Sequence, residues 1–349
     1  MKKLISILLA AILCLSLCAC AAKSDDTADA PVSTEDTTPE AVPTETAEAA
    51  PEIDAELPVS VMVLNGTTGF GMAKLISDAA AGNAALDYSF SVESDASVVT
   101  AALISGDCDI AALPTNAAAT VYNKTEGGVQ AVAVNTLGVL YLVVNGEALS
   151  INSLAELDGM TVYVPAQNPT FIFKALTDAA GVNVTIDNTY AQPADLRTAL
   201  AAGEVDIAVL PEPMVTIAES ANDALVTALD LTAEWDAVQP AGSLMQGCVV
   251  ATAAFAQSHP AELAAFLEEY EASIDYLVES PADAAALIEE TGIFTNAAVA
   301  GKAIPNCNVC FVTGAEMKSS LSAFFDILFA LDPAAVGGAV PGEDFYFPG

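Results

Sequence analysis

The stretch LISGDCDIAALP at residues 103–114 returns as LAAGEVDIAVLP at residues 200–211, with Leu, Gly, Asp, Ile, Ala, Leu and Pro in one register. A second matching pair precedes these copies, KLISDAA at residues 74–80 and KALTDAA at residues 174–180. Segments that recur in the same order are the mark of repeated supersecondary units. The two pairs therefore predict a chain built from two similar halves.

Each copy of the repeat reads as an amphipathic helix that ends at a glycine, followed by a short apolar strand that ends at a proline. In an open α/β sheet, ligands bind beyond the carboxyl ends of the strands. The residues after the two prolines should therefore lie in equivalent places. We expect two lobes with a cleft between them, across which Thr115 and Asn116 face Glu212 and Pro213.

Strands alternate with helices on both sides of the chain midpoint, which is typical of α/β folds with mostly parallel sheets. The predicted architecture has two such lobes, each a sheet flanked by helices. Residues 58–140 and 248–349 are expected to form lobe 1, and residues 141–247 to form lobe 2. Two apolar segments cross between the lobes, and their glycines Gly138 and Gly247 are the predicted hinges.

The helical region from residue 260 onward is expected to pack on lobe 1, with Ser258 as the N-cap of its first helix. His259 is the only histidine, so a Ser-His-Asp or Cys-His catalytic site could use no other. Cys307 and Cys310 form a lone CxxC, which indicates a local disulfide or two free thiols more than a zinc site. We expect neither a metal nor a cofactor.

The charge and the N-terminus indicate where the protein works. A formal net charge of -37 with only nine Lys plus Arg excludes nucleic-acid binding and attraction to anionic membranes. Residues 1–19 have a basic start and a short apolar run, as in a secretory signal. LCAC at residues 17–20 resembles a bacterial lipobox, which implies lipidation of Cys20. Residues 20–57 are predicted to comprise the lipidated Cys20 and a disordered acidic tether. The expected location is the outer face of the cell membrane, with the lipid as the only membrane contact.

From residue 59 to the end, the chain resembles the type II substrate-binding proteins of ABC importers, in the branch of thiamine-pyrimidine, sulfonate and nitrate binders. The resemblance rests on the lipobox and tether, the loop NGTTG at residues 65–69, the repeated strands, SLAELDGMTV at residues 153–162, and Glu212-Pro213. It implies a monomer that closes about a hinge on a small-molecule ligand. It also implies delivery of that ligand to a permease driven by an ATPase subunit.

The expected ligand contacts are polar or conformationally special residues in loops that follow strands. They are Asn65, Gly66, Thr67, Thr68, Gly69, Thr115, Asn116, Gln167, Asn168, Thr170, Glu212 and Pro213. The Thr and Asn side chains could equally serve turns and helix caps. Glu212 could bind an amino or cationic ligand, or stabilise the first turn of its own helix. Tyr141 and Trp235 are aromatic walls or core residues.

The loops after the predicted strands carry no Lys or Arg, which favours a neutral or amino-bearing small heterocycle or amino compound, with a monoanion such as a sulfonate next. Two other functions stay open: an enzyme similar to those of menaquinone synthesis or to the thiamine-pyrimidine synthase, and a surface ligand sensor. The pyrimidine synthase relies on a histidine and a Cys-rich segment, so the single His259 favours a binding protein that is not an enzyme.

Overall fold

The structure, a computed structural model, describes residues 52–348. The predicted signal peptide, Cys20 and most of the tether lie outside the described residues. The strands are β1 Pro58–Leu64, β2 Asp87–Glu93, β3 Ile110–Pro114, β4 Val129–Thr136, β5 Leu140–Asn145, β6 Thr161–Tyr163, β7 Thr185–Asp187, β8 Ile207–Pro211, β9 Leu225–Asp230, β10 Gly247–Thr252 and β11 Val309–Val312.

The helices flank these strands on both faces. They are α1 Thr67–Phe70, α2 Ala73–Ala80, α3 Ala96–Ser105, α4 Thr115–Lys124, α5 Asn168–Ala180, α6 Pro193–Ala201, α7 Met214–Ala221, α8 Leu231–Val238, α9 Ala253–Ser258, α10 Pro260–Glu279, α11 Pro281–Glu290, α12 Ala297–Ala303 and α13 Gly314–Leu331. Within residues 52–348, none of the helices combines the length and the apolar character that crossing a bilayer requires.

The strands form two sheets of matching topology. The sheet of lobe 1 has the order β2-β1-β3-β10-β4-β11, and the sheet of lobe 2 has the order β7-β6-β8-β5-β9. In each sheet the first three strands are parallel, and the next strand, β10 or β5, runs antiparallel to both of its neighbours. The predicted two-lobed α/β fold is confirmed.

The repeated stretches form β3 and β8, which occupy the same position in the two sheets. The glycines that end the preceding helices, Gly106 and Gly203, have φ of +78° and +73°, in the left-handed region that glycine adopts without strain. Each repeat ends beside a crossing strand, because Pro114 pairs with Gly247 and Pro211 pairs with Leu140. The repeat thus brings the ends of β3 and β8 to the junction of the lobes.

Two segments at residues 137–139 and 239–246 cross between the sheets, and they are bonded to each other. Val139 N donates to Gln246 Oε1 at 2.6 Å. The predicted hinge residue Gly138 leaves no room for a side chain, because a Cβ there would lie 2.1 Å from Thr232 Oγ1. A Cβ on Gly247 would lie 2.6 Å from Asn135 Oδ1. Close packing of the crossings therefore requires both glycines.

The C-terminal region is expected to pack on lobe 1, and its helix α13 packs on both lobes. This helix contacts β4 of lobe 1 and also α5 of lobe 2. Phe324 of α13 meets Trp235 of α8 edge-to-face at 5.8 Å between ring centroids. Trp235 is fully buried there, so it is a core residue and not an aromatic wall of the cleft. The bulky apolar side chains of α13 make the difference, since they bury area against both lobes.

Four elements were not predicted from the sequence: α1, α8, α9 and β11. Ser258 is expected to be the N-cap of α10, but it is the last residue of α9. The N-cap of α10 is His259. β11 adds an edge strand to lobe 1 from the CxxC region, where a strand of four residues has too little periodicity to be recognised. Cys307 and Cys310 are free thiols, one of the two alternatives considered.

Candidate functional site

A cavity of about 250 Å³ lies between the lobes, at the ends of β1, β3 and β8. It is small beside typical ligand pockets of about 300–1,000 Å³. Both lobes contribute residues to it, as expected for a ligand held between them. The predicted ligand contacts that line it are Asn65, Gly66, Thr67, Thr68, Asn168, Glu212 and Pro213.

The lobe 1 wall is the loop at residues 65–69, and hydrogen bonds hold its backbone on several sides. Gly66 N donates to Ile293 O at 3.1 Å, and Asn135 Nδ2 donates to Thr68 O at 3.0 Å. Gly66 has φ +83° and ψ -159°, a conformation essentially restricted to glycine. A Cβ on Gly69 would lie 2.2 Å from Leu64 O, so the loop can turn this tightly only over a glycine.

The lobe 2 wall includes Asn168 and Pro169, the first residues of α5, and the chain enters this helix in the same way as the lobe 1 loop enters α1. Gln167 is the N-cap of α5, with φ +66° and ψ -131°, where Gly66 is the N-cap of α1. Positive φ in a residue with a side chain stores backbone strain, and such strain is concentrated at functional sites. The next residue, Asn168, is 8% exposed, and its Oδ1 has no hydrogen-bond partner among residues 52–348.

Glu212 joins the two lobes. Its carbonyl oxygen accepts a hydrogen bond from Thr67 Oγ1 across the cavity at 2.8 Å. Its carboxylate accepts hydrogen bonds from Thr216 N at 3.1 Å and Thr216 Oγ1 at 3.0 Å, and one from Asn306 Nδ2 at 3.5 Å. The bonds from Thr216 show that the carboxylate stabilises the first turn of α7. Glu212 also lines the cavity, so both roles considered for it have a structural basis.

Burial dominates the electrostatics of Glu212. Only 4% of the residue is exposed, and this desolvation raises the pKa of its carboxyl group. The hydrogen bonds from Thr216 and Asn306 act in the opposite direction, since they stabilise the charged form. No Lys or Arg is among the described residues that line the cavity, and Glu212 is the only ionisable one.

The segment at residues 306–308, here called the latch, was missed as part of the site. Asn306 O accepts a hydrogen bond from Tyr141 OH of lobe 2 at 2.8 Å, and Asn308 Nδ2 donates to Gly138 O in the first crossing at 2.5 Å. Between them, Cys307 Sγ lies 3.8 Å from Thr67 Oγ1. The CxxC pattern draws attention to the cysteines here, whereas the asparagines beside them contact lobe 2 and the first crossing.

Other predicted contacts lie away from the cavity. Thr115 is fully buried, and its Oγ1 donates to Met245 O at 2.7 Å in the second crossing. Thr170 Oγ1 donates to Pro165 O at 2.7 Å within its own loop. Gly69 is the last residue of the lobe 1 loop and does not line the cavity, and Asn116 and Gln167 line a separate depression beside α3 and α4. The structure therefore does not bring Thr115 and Asn116 to face Glu212 and Pro213.

A second depression and the arrangement of possible metal ligands are the alternatives to a site between the lobes. A larger depression of about 520 Å³ lies at the opposite end of the lobe 1 sheet, near His259 and Asp109. Lobe 2 contributes no residue to it, and Asp109 is occupied there with hydrogen bonds from Ser60. Within residues 52–348, no group of His, Cys, Asp and Glu is arranged to hold a metal ion. We therefore place the candidate site between the lobes.

Comparisons with known proteins agree with the fold described above. Residues 83–284 match the family described as NMT1/THI5 like. No curated protein sequence matches the chain. Among solved structures, an ABC transporter protein from Parabacteroides distasonis is similar at 24% identity, with 84% of this chain and 99% of that chain covered and a TM-score of 0.71.

Two sulfonate-binding proteins share the same fold. The periplasmic aliphatic sulphonate binding protein SsuA from Escherichia coli has 17% identity, covers 83% of this chain and 92% of its own, and has a TM-score of 0.64. The alkanesulfonate-binding protein SsuA from Xanthomonas axonopodis pv. citri, bound to MOPS, has 14% identity, covers 84% and 96%, and has a TM-score of 0.60. At these identities the likeness concerns the fold.

Proposed function

The chain belongs to the NMT1/THI5-like family, and from this premise we propose that it is the extracytoplasmic solute-binding component of an ABC importer. It binds a small polar organic ligand between its lobes and delivers it to a permease that an ATPase subunit drives. The similarity to ABC-transporter and sulfonate-binding proteins supports the proposal at the level of the fold. The observation that carries it is the cavity to which both lobes contribute loops.

Hinge closure is the proposed mechanism. The bond from Thr67 Oγ1 to Glu212 O and the bond from Asn306 Nδ2 to Glu212 Oε1 both join lobe 1 to lobe 2. Separation of the lobes would break them, so they stabilise the closed state alone. A ligand shifts such an equilibrium only through contacts that it makes better in one state. A ligand touching the loops of both lobes meets that condition.

The proposal includes binding without chemical conversion. Among the described residues, the cavity lining contains no His, Lys or Cys to serve as a base or nucleophile. Its one carboxylate, that of Glu212, is held at the first turn of α7 by hydrogen bonds from Thr216 and accepts a third from Asn306. This arrangement supports a binding site over the two enzyme alternatives.

The proposed location follows from the N-terminus. Lipidation of Cys20 would anchor the chain at the outer face of the membrane. A monomer anchored there could meet its permease repeatedly without dissociating from the membrane.

A thermal-shift screen of the purified chain tests the proposal. The panel contains vitamins and their precursors, amines, amino acids and sulfonates. A ligand at a hundredfold excess over its dissociation constant adds about 2.7 kcal/mol to the stability of the protein. Thr67→Val, which removes the hydroxyl that reaches Glu212, should weaken binding of the hit about twofold to tenfold. Thr185→Val, at an exposed position of lobe 2, is the matched control.

Two results would count against the proposal. If the hit binds Thr67→Val as tightly as the unchanged chain, the ligand does not depend on contact between the lobes at this cavity. If the protein converts the hit into a new product, as mass spectrometry would show, the enzyme alternative replaces the binding protein.

A further inference from the structure

We infer that the cavity between the lobes selects a ligand that donates hydrogen bonds and carries no negative charge, such as an amide, amine or amidine. This inference rests on the proposed function, since it names the ligand chemistry of the same cavity. Three observations carry it: the charge around the cavity, the unused acceptor capacity of Glu212, and the unpartnered amide oxygen of Asn168.

The charge around the cavity disfavours anions. The one ionisable residue in the described lining is an acid, Glu212, and it is 4% exposed. The whole chain carries a formal net charge of -37. In a buried site the interaction between two charges is screened far less than in water. A sulfonate or carboxylate would therefore meet repulsion with no cation to offset it, whereas an ammonium or amidinium would be attracted.

Glu212 retains an acceptor position after its protein contacts are made. A carboxylate offers roughly four lone-pair positions. Thr216 N occupies one position on Oε2, while Thr216 Oγ1 and Asn306 Nδ2 occupy two on Oε1. The remaining position belongs to Oε2, on a residue that lines the cavity. A donor is the partner that this oxygen lacks.

The second acceptor is the side-chain oxygen of Asn168, the first residue of α5 in lobe 2. The residue lines the cavity and is 8% exposed. Its Oδ1 is buried without a hydrogen-bond partner among the described residues. A buried acceptor left unpaired costs about 1–3 kcal/mol, which a ligand N–H would recover if the Asn168 amide turned its Oδ1 toward the cavity. Glu212 and Asn168 would therefore both accept a hydrogen bond from a donor group of the ligand.

The rest of the lining suits a small, partly apolar body that carries these donors. Five prolines contribute to it: Pro114, Pro169, Pro193, Pro211 and Pro213. They offer apolar surface and, because the pyrrolidine ring fixes φ, little side-chain entropy is lost when a ligand packs on them. The volume of about 250 Å³ corresponds to roughly eight water molecules. A single substituted ring fits this space.

Three compounds of one shape test the inference: benzamide, benzamidine and benzoate. They are neutral donor, cationic donor and anionic acceptor, respectively, on the same ring. Calorimetric titration of the purified chain should show benzamide and benzamidine binding at least about tenfold more tightly than benzoate. Nicotinamide against nicotinate repeats the comparison, and ethanesulfonate adds a second anion.

Variants locate the selectivity. Asn168→Ala should weaken benzamide about twofold to tenfold through the loss of one hydrogen bond. Asn183→Ala, at an exposed asparagine of the same lobe, should leave benzamide binding unchanged. Glu212→Gln should reduce the preference for benzamidine over benzamide, because the attraction between opposite charges is lost.

The outcomes separate the inference from the proposed function. If benzoate, nicotinate or ethanesulfonate binds as tightly as the donors, and Thr67→Val weakens that binding, the inference is wrong and the proposed function stands. Donor binding that Asn168→Ala leaves intact also overturns the inference. If no compound binds here and none in the wider screen does, both fail.

Discussion

Replacing Gln167 by glycine should stabilise the protein, although glycine usually destabilises a folded chain. Gln167 holds φ +66° and ψ -131°, which costs a residue with a side chain about 1–3 kcal/mol. Glycine adopts this conformation freely but loses about 0.5–1 kcal/mol through the greater freedom of its unfolded state. The net expected gain is about 1 kcal/mol, which corresponds to a melting temperature about 1–2 °C higher for a chain of 349 residues.

The chain offers a matched control in Gln192→Gly. Gln192 is also a helix N-cap without a side-chain cap hydrogen bond, and a proline opens its helix as one opens α5. Its φ of -97° and ψ of 138° are unstrained. The unfolded-state term is therefore common to both variants, and the difference between their effects isolates the strain, about 1–3 kcal/mol.

The stability of both variants is measured by urea unfolding, monitored by fluorescence and by far-ultraviolet circular dichroism. Coincident transitions are needed, because a chain of two lobes can depart from two-state behaviour. The expected result is a higher midpoint for Gln167→Gly and a lower one for Gln192→Gly. Equal destabilisation of the two variants would refute the assignment of strain to Gln167.

Two further predictions concern the other loop and the buried acid. Gly69→Ala places a Cβ 2.2 Å from Leu64 O and should lower the stability in urea unfolding by more than about 3 kcal/mol. Gly66→Ala has open space for its Cβ but keeps φ +83° and ψ -159°, so it should lose about 1–3 kcal/mol, and an equal loss in the two variants would mean that the clash at Gly69 is relieved easily. Because burial raises the folded-state pKa of Glu212 above its ordinary value of 4.5, its contribution is fully present below that pH and falls as the pH rises through the folded-state pKa. The stability of the unchanged chain relative to Glu212→Gln should therefore decrease as the pH rises above 4.5, and a constant difference would contradict this account.

Much of the site is built by contacts between residues far apart in the chain. Thr67 and Glu212 are 145 positions apart, and Tyr141 and Asn306 are 165 apart. Nothing in the local pattern around Asn306 or Asn308 distinguishes the latch from a loop between a helix and a strand. Thr115 illustrates the converse, because its position after a strand predicted a ligand contact, yet Met245 takes its hydroxyl.

The order of strands and helices, the two similar halves and the glycine turns of the repeat were determined by the sequence itself. These features depend on side-chain periodicity and on backbone preferences within a few residues, and both can be read locally. Only the tertiary structure decided that α13 joins both lobes, and which polar side chains line the cavity and which are consumed by the crossings. The physical reason is that a hydrogen-bonding group is available to a ligand only if no distant part of the chain has already satisfied it.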